Sequence, residues 1–367
     1  MISPYLYSTI FLYLGVILTL ILFFKYDKMS YERIKKGDNN FIFAATITLI
    51  CALWIGMRPV SPAFGDTINY AHQYNLVKLG IIVPDIEKGE WIWAILMTQC
   101  AKIMPVSDFF TIIEIGYFGF TLWACKRLTP NNVLVSLVFN LAAFSFFSYG
   151  TNGIRNGLAC SMILTVMSFA LGNRKDKIIA AVLAFIAFNI HHSVGLPIVM
   201  LFVSMTIIRT FKSAYTFWLI SILVSLLAGG AVTSFFATLG FDDRMHTYLS
   251  QGMEDDVFSH SGFRWDFLIY SVMPIILGYY TVVKRKLIDK NYIILLNTYI
   301  LSNATWVMII QASFSNRFAY LSWFMYPIVL AYPLLKVNIW GRKQGLYLAS
   351  IMLAHTGFTW FMDVIYY

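Results

Sequence analysis

An all-α, polytopic integral membrane protein is the fold class this sequence predicts, and three observations carry the prediction. Of the 367 residues, 59% are hydrophobic and only 12% charged, against about 45–50% apolar and about 25% charged in soluble domains. The apolar residues fall in continuous runs near the roughly 20 residues that a membrane-crossing helix needs, without the strict alternation of a membrane β-barrel. The basic residues cluster in alternate loops between those runs, the asymmetry expected of spanning proteins. Together these exclude a soluble two-domain enzyme, a disordered chain and a secreted disulfide scaffold, and the mean hydropathy of +0.69 agrees.

Taken in order, apolar runs read at about 4–24, 41–57, 108–124, 132–149, 155–171, 177–190, 194–208, 214–236, 266–283, 291–310, 318–335 and 345–363. They predict about 12 transmembrane helices in a single transmembrane domain, 1–367. The first run is long enough to span and has no basic segment before it, so no cleavable signal peptide is expected. The shorter runs need flanking aromatics or a thinned bilayer to cross. Between the second and third runs, Trp91 to Met104 is apolar enough to enter the membrane, yet a full crossing there inverts every later loop. It reads as an amphipathic or re-entrant helix on the outer face. Outer loops are expected at 58–107, which contains that helix, and at 239–265. No internal repeat is visible, so an inverted-repeat transporter gains no support.

The formal charge of +9 is a topology signal. Lys25 to Lys36, Lys126-Arg127, Arg174 to Lys177, Arg209 to Lys212, Lys284 to Lys290 and Lys336 to Lys343 fall on one face, which collects 19 of the 27 basic residues and 5 of the 18 acidic ones. By the positive-inside rule that face is cytoplasmic and both termini point outward. Placed this way, the charge calls for no nucleic acid partner. Cys51, Cys100, Cys125 and Cys160 lie in or beside apolar segments with no paired spacing, so they read as small core residues.

No Walker A sequence, dinucleotide glycine fingerprint, HExxH or GxSxG occurs, so no cofactor is expected and a substrate must arrive already activated. What the sequence does place on the outer face is a set of arginines and histidines. Arg58 precedes Gly65-Asp66 and Tyr70; Tyr149 to Ala159 carries Arg155 and Asn156 among glycines 150, 153 and 157; His191-His192-Ser193 lies in a hairpin; Ser315-Asn316-Arg317-Phe318 lies in another; Arg244, His246, His260 and Arg264 fall in the long outer loop. Arg155 at the lip of an apolar run either snorkels to the headgroups or presents a planar fork to a phosphate-rich ligand. The glycines around it leave room for a ligand or another backbone. His191 is a candidate general base or a helix-end hydrogen-bonding group. Asp66 is a candidate base, an arginine partner or a plain turn residue. Two adjacent helical histidines face different ways and make no metal site. The acidic run Glu254-Asp255-Asp256 reads as solvated rather than as metal-binding, so no metal is expected.

The order of these groups, Arg58 with Gly65-Asp66 and Tyr70, Ile154-Arg155-Asn156 with Leu158-Ala159, His191 with Ser193, and Asn316-Arg317-Phe318 with Tyr320, resembles the EpsG-like branch of the Wzy polysaccharide polymerases over about residues 41–335. Asn156 stands where that family commonly has glutamine, and Val194 where it usually has alanine. The resemblance implies a bacterial plasma-membrane (inner-membrane) glycosyltransferase with its active site facing the periplasm or cell exterior. It would transfer a glycan from undecaprenyl pyrophosphate to the sugar end of another lipid-linked repeat in making O-antigen or exopolysaccharide. Lipid-linked oligosaccharide, the bilayer, a chain-length regulator and a flippase are the implied partners. Arg155 and Arg317 would hold pyrophosphate, Arg58 and Arg264 would help, Tyr70 and Asn156 would bind substrate, and His191 or Asp66 would be the base. A lipid-linked oligosaccharide flippase and an O-antigen ligase are the alternatives; intramembrane charges clustered outward argue against the flippase.

Overall fold

The structure is a computed structural model that describes residues 2–38, 40–84, 89–238, 263–312 and 315–366. Among these residues the chain is helical, with no strand. In chain order the helices are α1 (Leu6–Tyr26), α2 (Tyr31–Lys36), α3 (Phe41–Gly56), α4 (Thr67–Lys78), α5 (Trp91–Ile103), α6 (Val106–Leu128), α7 (Val133–Leu141), α8 (Phe146–Thr151), α9 (Ile154–Ala170) and α10 (Arg174–Ile190). They continue with α11 (Gly195–Thr206), α12 (Phe211–Thr238), α13 (Trp265–Gly278), α14 (Lys290–Met308), α15 (Asn316–Trp323), α16 (Tyr326–Lys336) and α17 (Gln344–Phe361). The chain packs as two compact units, residues 1–191 with 331–367, and residues 192–330.

In the first unit, α1 is apolar on every side. Tyr7, Phe11, Leu18 and Leu22 are buried while Ile10, Tyr13, Ile17, Ile21 and Phe24 are exposed, the pattern of a helix with protein on one face and lipid on the other. It packs on α17, where the hydroxyls of Thr19 and Thr356 meet at 2.8 Å. Gly56 brings α3 so close to α6 that a Cβ there would sit 2.6 Å from Thr111 Cα. The N-terminus of α10 is fixed by a capping box between Asn173 and Asp176, which satisfies two otherwise orphaned backbone donors.

The basic loops of this unit are tied to one another. Arg127 pairs with Asp176 at 3.0 Å, and Asn131 and Asn132 donate to the carbonyls of Lys35 and Ile34 at 2.9 Å each. Tyr31 donates to the Lys336 carbonyl at 2.9 Å, and Lys126 lies 3.9 Å from the Phe41 ring centroid. The loops grouped by charge alone therefore share one end of the unit, and α3, α6, α9 and α10 carry the chain from that end to the opposite one.

The second unit is tied through buried polar groups. Trp218 Nε1 donates to Asn303 Oδ1 at 2.8 Å, and Asn303 Nδ2 donates to Ser322 Oγ at 3.0 Å. Trp323 Nε1 donates to Ser271 Oγ at 2.7 Å, and the Tyr299 hydroxyl donates to the Ser271 carbonyl at 2.6 Å.

Five helical stretches among the described residues are long and apolar enough to cross a membrane: Leu6–Tyr26, Phe211–Val232, Trp265–Lys284, Asn316–Lys336 and Gly341–Tyr366. Shorter apolar helices follow at Phe41–Gly56, Ile154–Ala170 and His192–Thr206. By length and composition the described residues thus confirm five crossings and not the expected total of about 12, for local reasons. Run 132–149 breaks between α7 and α8, run 41–57 folds as 16 residues, and run 194–208 begins with a 3-10 turn before the 12 residues of α11. Apolar faces stay exposed on the short helices as well, including Ile178, Val182 and Phe185 of α10. Exposed apolar surface this extensive belongs in lipid. This is an all-helical membrane protein. The segment Trp91 to Met104, expected as an amphipathic or re-entrant helix, forms helix α5 over Trp91–Ile103.

Candidate functional site

At the end of the first unit away from its basic loops, the turn into α9 and the end of α10 come together. Gly153 precedes α9, and Arg155 lies in that helix's first turn. A cation there opposes the helix dipole, so the site favours an anion by about 0.3–1 kcal/mol. The anion is Glu90. One carboxylate oxygen lies 2.5 Å from Arg155 Nη1 and the other 2.6 Å from His191 Nδ1. His191 reaches it because α10 stops at Ile190 and the backbone turns extended at His191 (φ −153°, ψ 116°). The three side chains are 28%, 20% and 20% exposed for Arg155, Glu90 and His191, enclosed yet reachable. An ion pair with this much exposure is worth about 1 kcal/mol or less.

Glu90 was not among the residues the sequence singled out. It caps α5 with a left-handed backbone (φ 47°) directly after Gly89 (φ 85°). For a residue with a side chain that conformation costs about 1–2 kcal/mol. Strain of this kind persists where surrounding bonds over-determine it and collects at functional sites. An ionised carboxylate only accepts hydrogen bonds, so Nδ1 is the donor in the 2.6 Å contact with Glu90, and in a neutral imidazole the lone pair then lies on Nε2. On the arginine, Nε is buried with no acceptor among the described residues, so Glu90 leaves part of the fork unsatisfied.

Around this centre the other first-unit residues take distinct places. Asp66 accepts from Asn69 Nδ2 at 3.1 Å, and its backbone N–H donates to Asn152 Oδ1 at 2.8 Å. Gly65 (φ +57°) has no room for a Cβ against that same Asn152 side chain. The Gly65-Asp66 turn is thus docked on the segment that leads into Arg155. Tyr70 stands edge-on to Trp93 of α5 at 5.9 Å, and Asn156 Oδ1 accepts from the Cys160 thiol at 3.2 Å.

Arg58 lies deeper than a pyrophosphate ligand should. It is 2% exposed, and its Nη1 donates to Glu114 Oε1 at 3.0 Å and to the Ile55 carbonyl at 2.9 Å. Its Nη2 donates to the Thr151 carbonyl at 3.2 Å and to Thr67 Oγ1 at 3.3 Å. Glu114, also fully buried, is a second residue the sequence reading missed. The signal was there, as a lone acid inside an apolar run needs a partner. The pair ties α3, α4, α6 and α8 together beneath the site, so the helper role on pyrophosphate expected of Arg58 becomes one of holding the framework.

The glycines resolve individually. A Cβ on Gly157 would strike the Tyr149 carbonyl, whereas at Gly153 the nearest atom is 4.0 Å away. Of the two possibilities, ligand or backbone, it is backbone that approaches Gly157.

Arg264 and Arg317 belong to the second unit. Arg264 engages Asp266 in a two-point pair, at 3.0 and 2.6 Å, and lies 3.7 Å from the Phe267 ring centroid. One edge of its fork, Nε with Nη2, is therefore already used. Arg317 is exposed in the first turn of α15. Arg244, His246, His260 and Glu254-Asp255-Asp256 lie outside the described residues. Among the described residues no three His, Cys, Asp or Glu side chains group to hold a metal ion.

Residues 41–366 match the family model described as EpsG family. No curated protein and no solved structure matches the chain.

Proposed function

Because this chain belongs to the EpsG family, we propose that it is a polysaccharide polymerase using lipid-linked repeats on the outer side of a bacterial plasma membrane. The observation that carries the reading is the Arg155–Glu90–His191 cluster, which brings an anion-binding fork beside a histidine of defined tautomer. The donor is a glycan on undecaprenyl pyrophosphate and the acceptor is a hydroxyl at the sugar end of a second lipid-linked repeat. His191 Nε2 takes the acceptor proton, and the acceptor oxygen forms its bond to the anomeric carbon of the donor. The bond from that carbon to the pyrophosphate oxygen breaks, and undecaprenyl pyrophosphate leaves with the electron pair. Arg155 stabilises the negative charge gathering there, a task a fixed donor performs for about 10²–10³ in rate. His191 passes its proton to solvent afterwards.

Asp66 is assigned to the turn that positions Asn152, leaving His191 as the base. Arg317 is assigned to the pyrophosphate or glycan on the ground of the family resemblance. The shorter apolar helices complete the crossings together with the five long ones, with the basic loops in the cytoplasm. Glycan length profiling in a strain lacking the protein tests the reading. Loss of a polymerase leaves single capped repeats; loss of a ligase leaves none on the lipid A core; loss of a flippase traps repeats inside. Either of the last two results replaces the polymerase assignment.

A further inference from the structure

We infer that Glu90 is a displaceable counter-ion that links donor binding on Arg155 to activation of His191. The inference rests on the polymerase reading and extends it to a residue with no role so far. One carboxylate serves both partners, at 2.5 Å from the arginine and 2.6 Å from the histidine. It occupies the place beside Arg155 Nη1 where a phosphate oxygen would bind, at the first turn of α9, where the helix dipole favours an anion. Its hold is incomplete, since Arg155 Nε has no acceptor among the described residues. The left-handed backbone at Glu90 and the adjoining Gly89 give the segment strain that release from Arg155 would relieve.

A pyrophosphate carries more negative charge than a carboxylate and offers oxygens to both edges of the fork, so it displaces Glu90 from the guanidinium. The carboxylate then keeps its bond to His191 without the arginine's charge on its other oxygen. With the arginine gone it accepts more strongly from Nδ1–H, which fixes the ring and makes Nε2 a better proton acceptor. The base is thereby strengthened only when a donor is seated, and without a donor Glu90 closes the anion site. Glu90 is a positioning residue in this scheme: it acts through Arg155 and His191 and touches no reacting atom.

The test uses the full-length protein, purified, with undecaprenyl pyrophosphate as the binding probe and lipid-linked repeats as substrate. Glu90→Gln removes the competing charge while keeping the side chain's shape. It should bind undecaprenyl pyrophosphate at least as tightly as the wild type, by up to several-fold, while turnover falls about 10–100-fold, as when a partner orienting a histidine is lost. Glu90→Asp, which keeps the charge, should recover part of that turnover. In a His191→Ala background the glutamine should cost nothing more, since the two act as one unit. Wild-type turnover in Glu90→Gln overturns the inference. So does a parallel loss of affinity and turnover that aspartate fails to rescue, which marks a merely structural tie. A wild-type protein that binds no undecaprenyl pyrophosphate overturns the polymerase reading itself and this inference with it, a result distinct from any variant's behaviour.

Discussion

Arg58 and Glu114 illustrate what keeps a charge inside a bundle of apolar helices. Each side chain is at most 1% exposed, and they meet at 3.0 Å. Removing one partner strands the other, at a cost of about 3–5 kcal/mol, whereas replacing both by apolar groups is often neutral. Arg58→Ala should therefore lower the thermal midpoint of the solubilised protein sharply, and Arg58→Met combined with Glu114→Leu should recover much of it. An Arg58→Ala protein that melts like the wild type would show that the pair contributes nothing. The Arg155–Glu90–His191 cluster is the opposite case, partly open and held by bonds that an incoming anion can replace. On the proposed reading arginine supplies the positive charge that the leaving group needs, so polymerisation by the purified protein should persist in a metal chelator. Loss of activity restored by magnesium or manganese would assign that charge to a metal ion instead.

At the scale of elements, the turn from α8 into α9 positions Arg155, and Gly157 sets how closely that turn folds back. A Cβ there meets the backbone carbonyl of Tyr149, which cannot swing aside as a flexible side chain can. Gly157→Ala should thus cost most of the activity, while Gly153→Ala, with its nearest neighbour at 4.0 Å, should be tolerated. Chain-length profiles at matched membrane levels check both, and equal behaviour of the two variants would remove Gly157 from this role. The same elements show how far the sequence could be read. Composition and continuous apolar runs were enough for the helical class, and the apolar stretch at 91–104 was enough to expect the helix that forms as α5. The break between α7 and α8 was not legible, because Ala142 and Ala143 are as apolar as the helix before them and only tertiary packing stops it. Arg155 and His191 were legible as charges beside apolar runs. Glu90 was not, since the partnership that makes it informative spans 101 residues to His191, and nothing local marks a lone carboxylate in a loop.

At the scale of the whole molecule, the basic loops of the first unit bond to one another, while Arg155, Glu90 and His191 gather at the unit's other end. The four native cysteines are buried and free, so single introduced cysteines can be labelled with little background. Lys36→Cys, Arg174→Cys and Arg342→Cys should all react from the cytoplasmic side, with Lys286→Cys expected to join them by the positive-inside rule. Labelling of Lys36→Cys and Arg174→Cys from opposite sides would contradict the shared end. The central claim, that Arg155 grips a pyrophosphate, has its most direct test in one substitution. Arg155→Lys keeps the charge and the reach to Glu90 but loses the planar fork. Measured as glycan chain length and turnover beside Arg155→Ala at matched membrane levels, Arg155→Lys should lose activity by about 10²–10³-fold, the cost of removing one transition-state donor. Long chains at wild-type turnover from the lysine protein would contradict the account, because an arginine that only anchors the helix in the headgroups is replaced by lysine without loss.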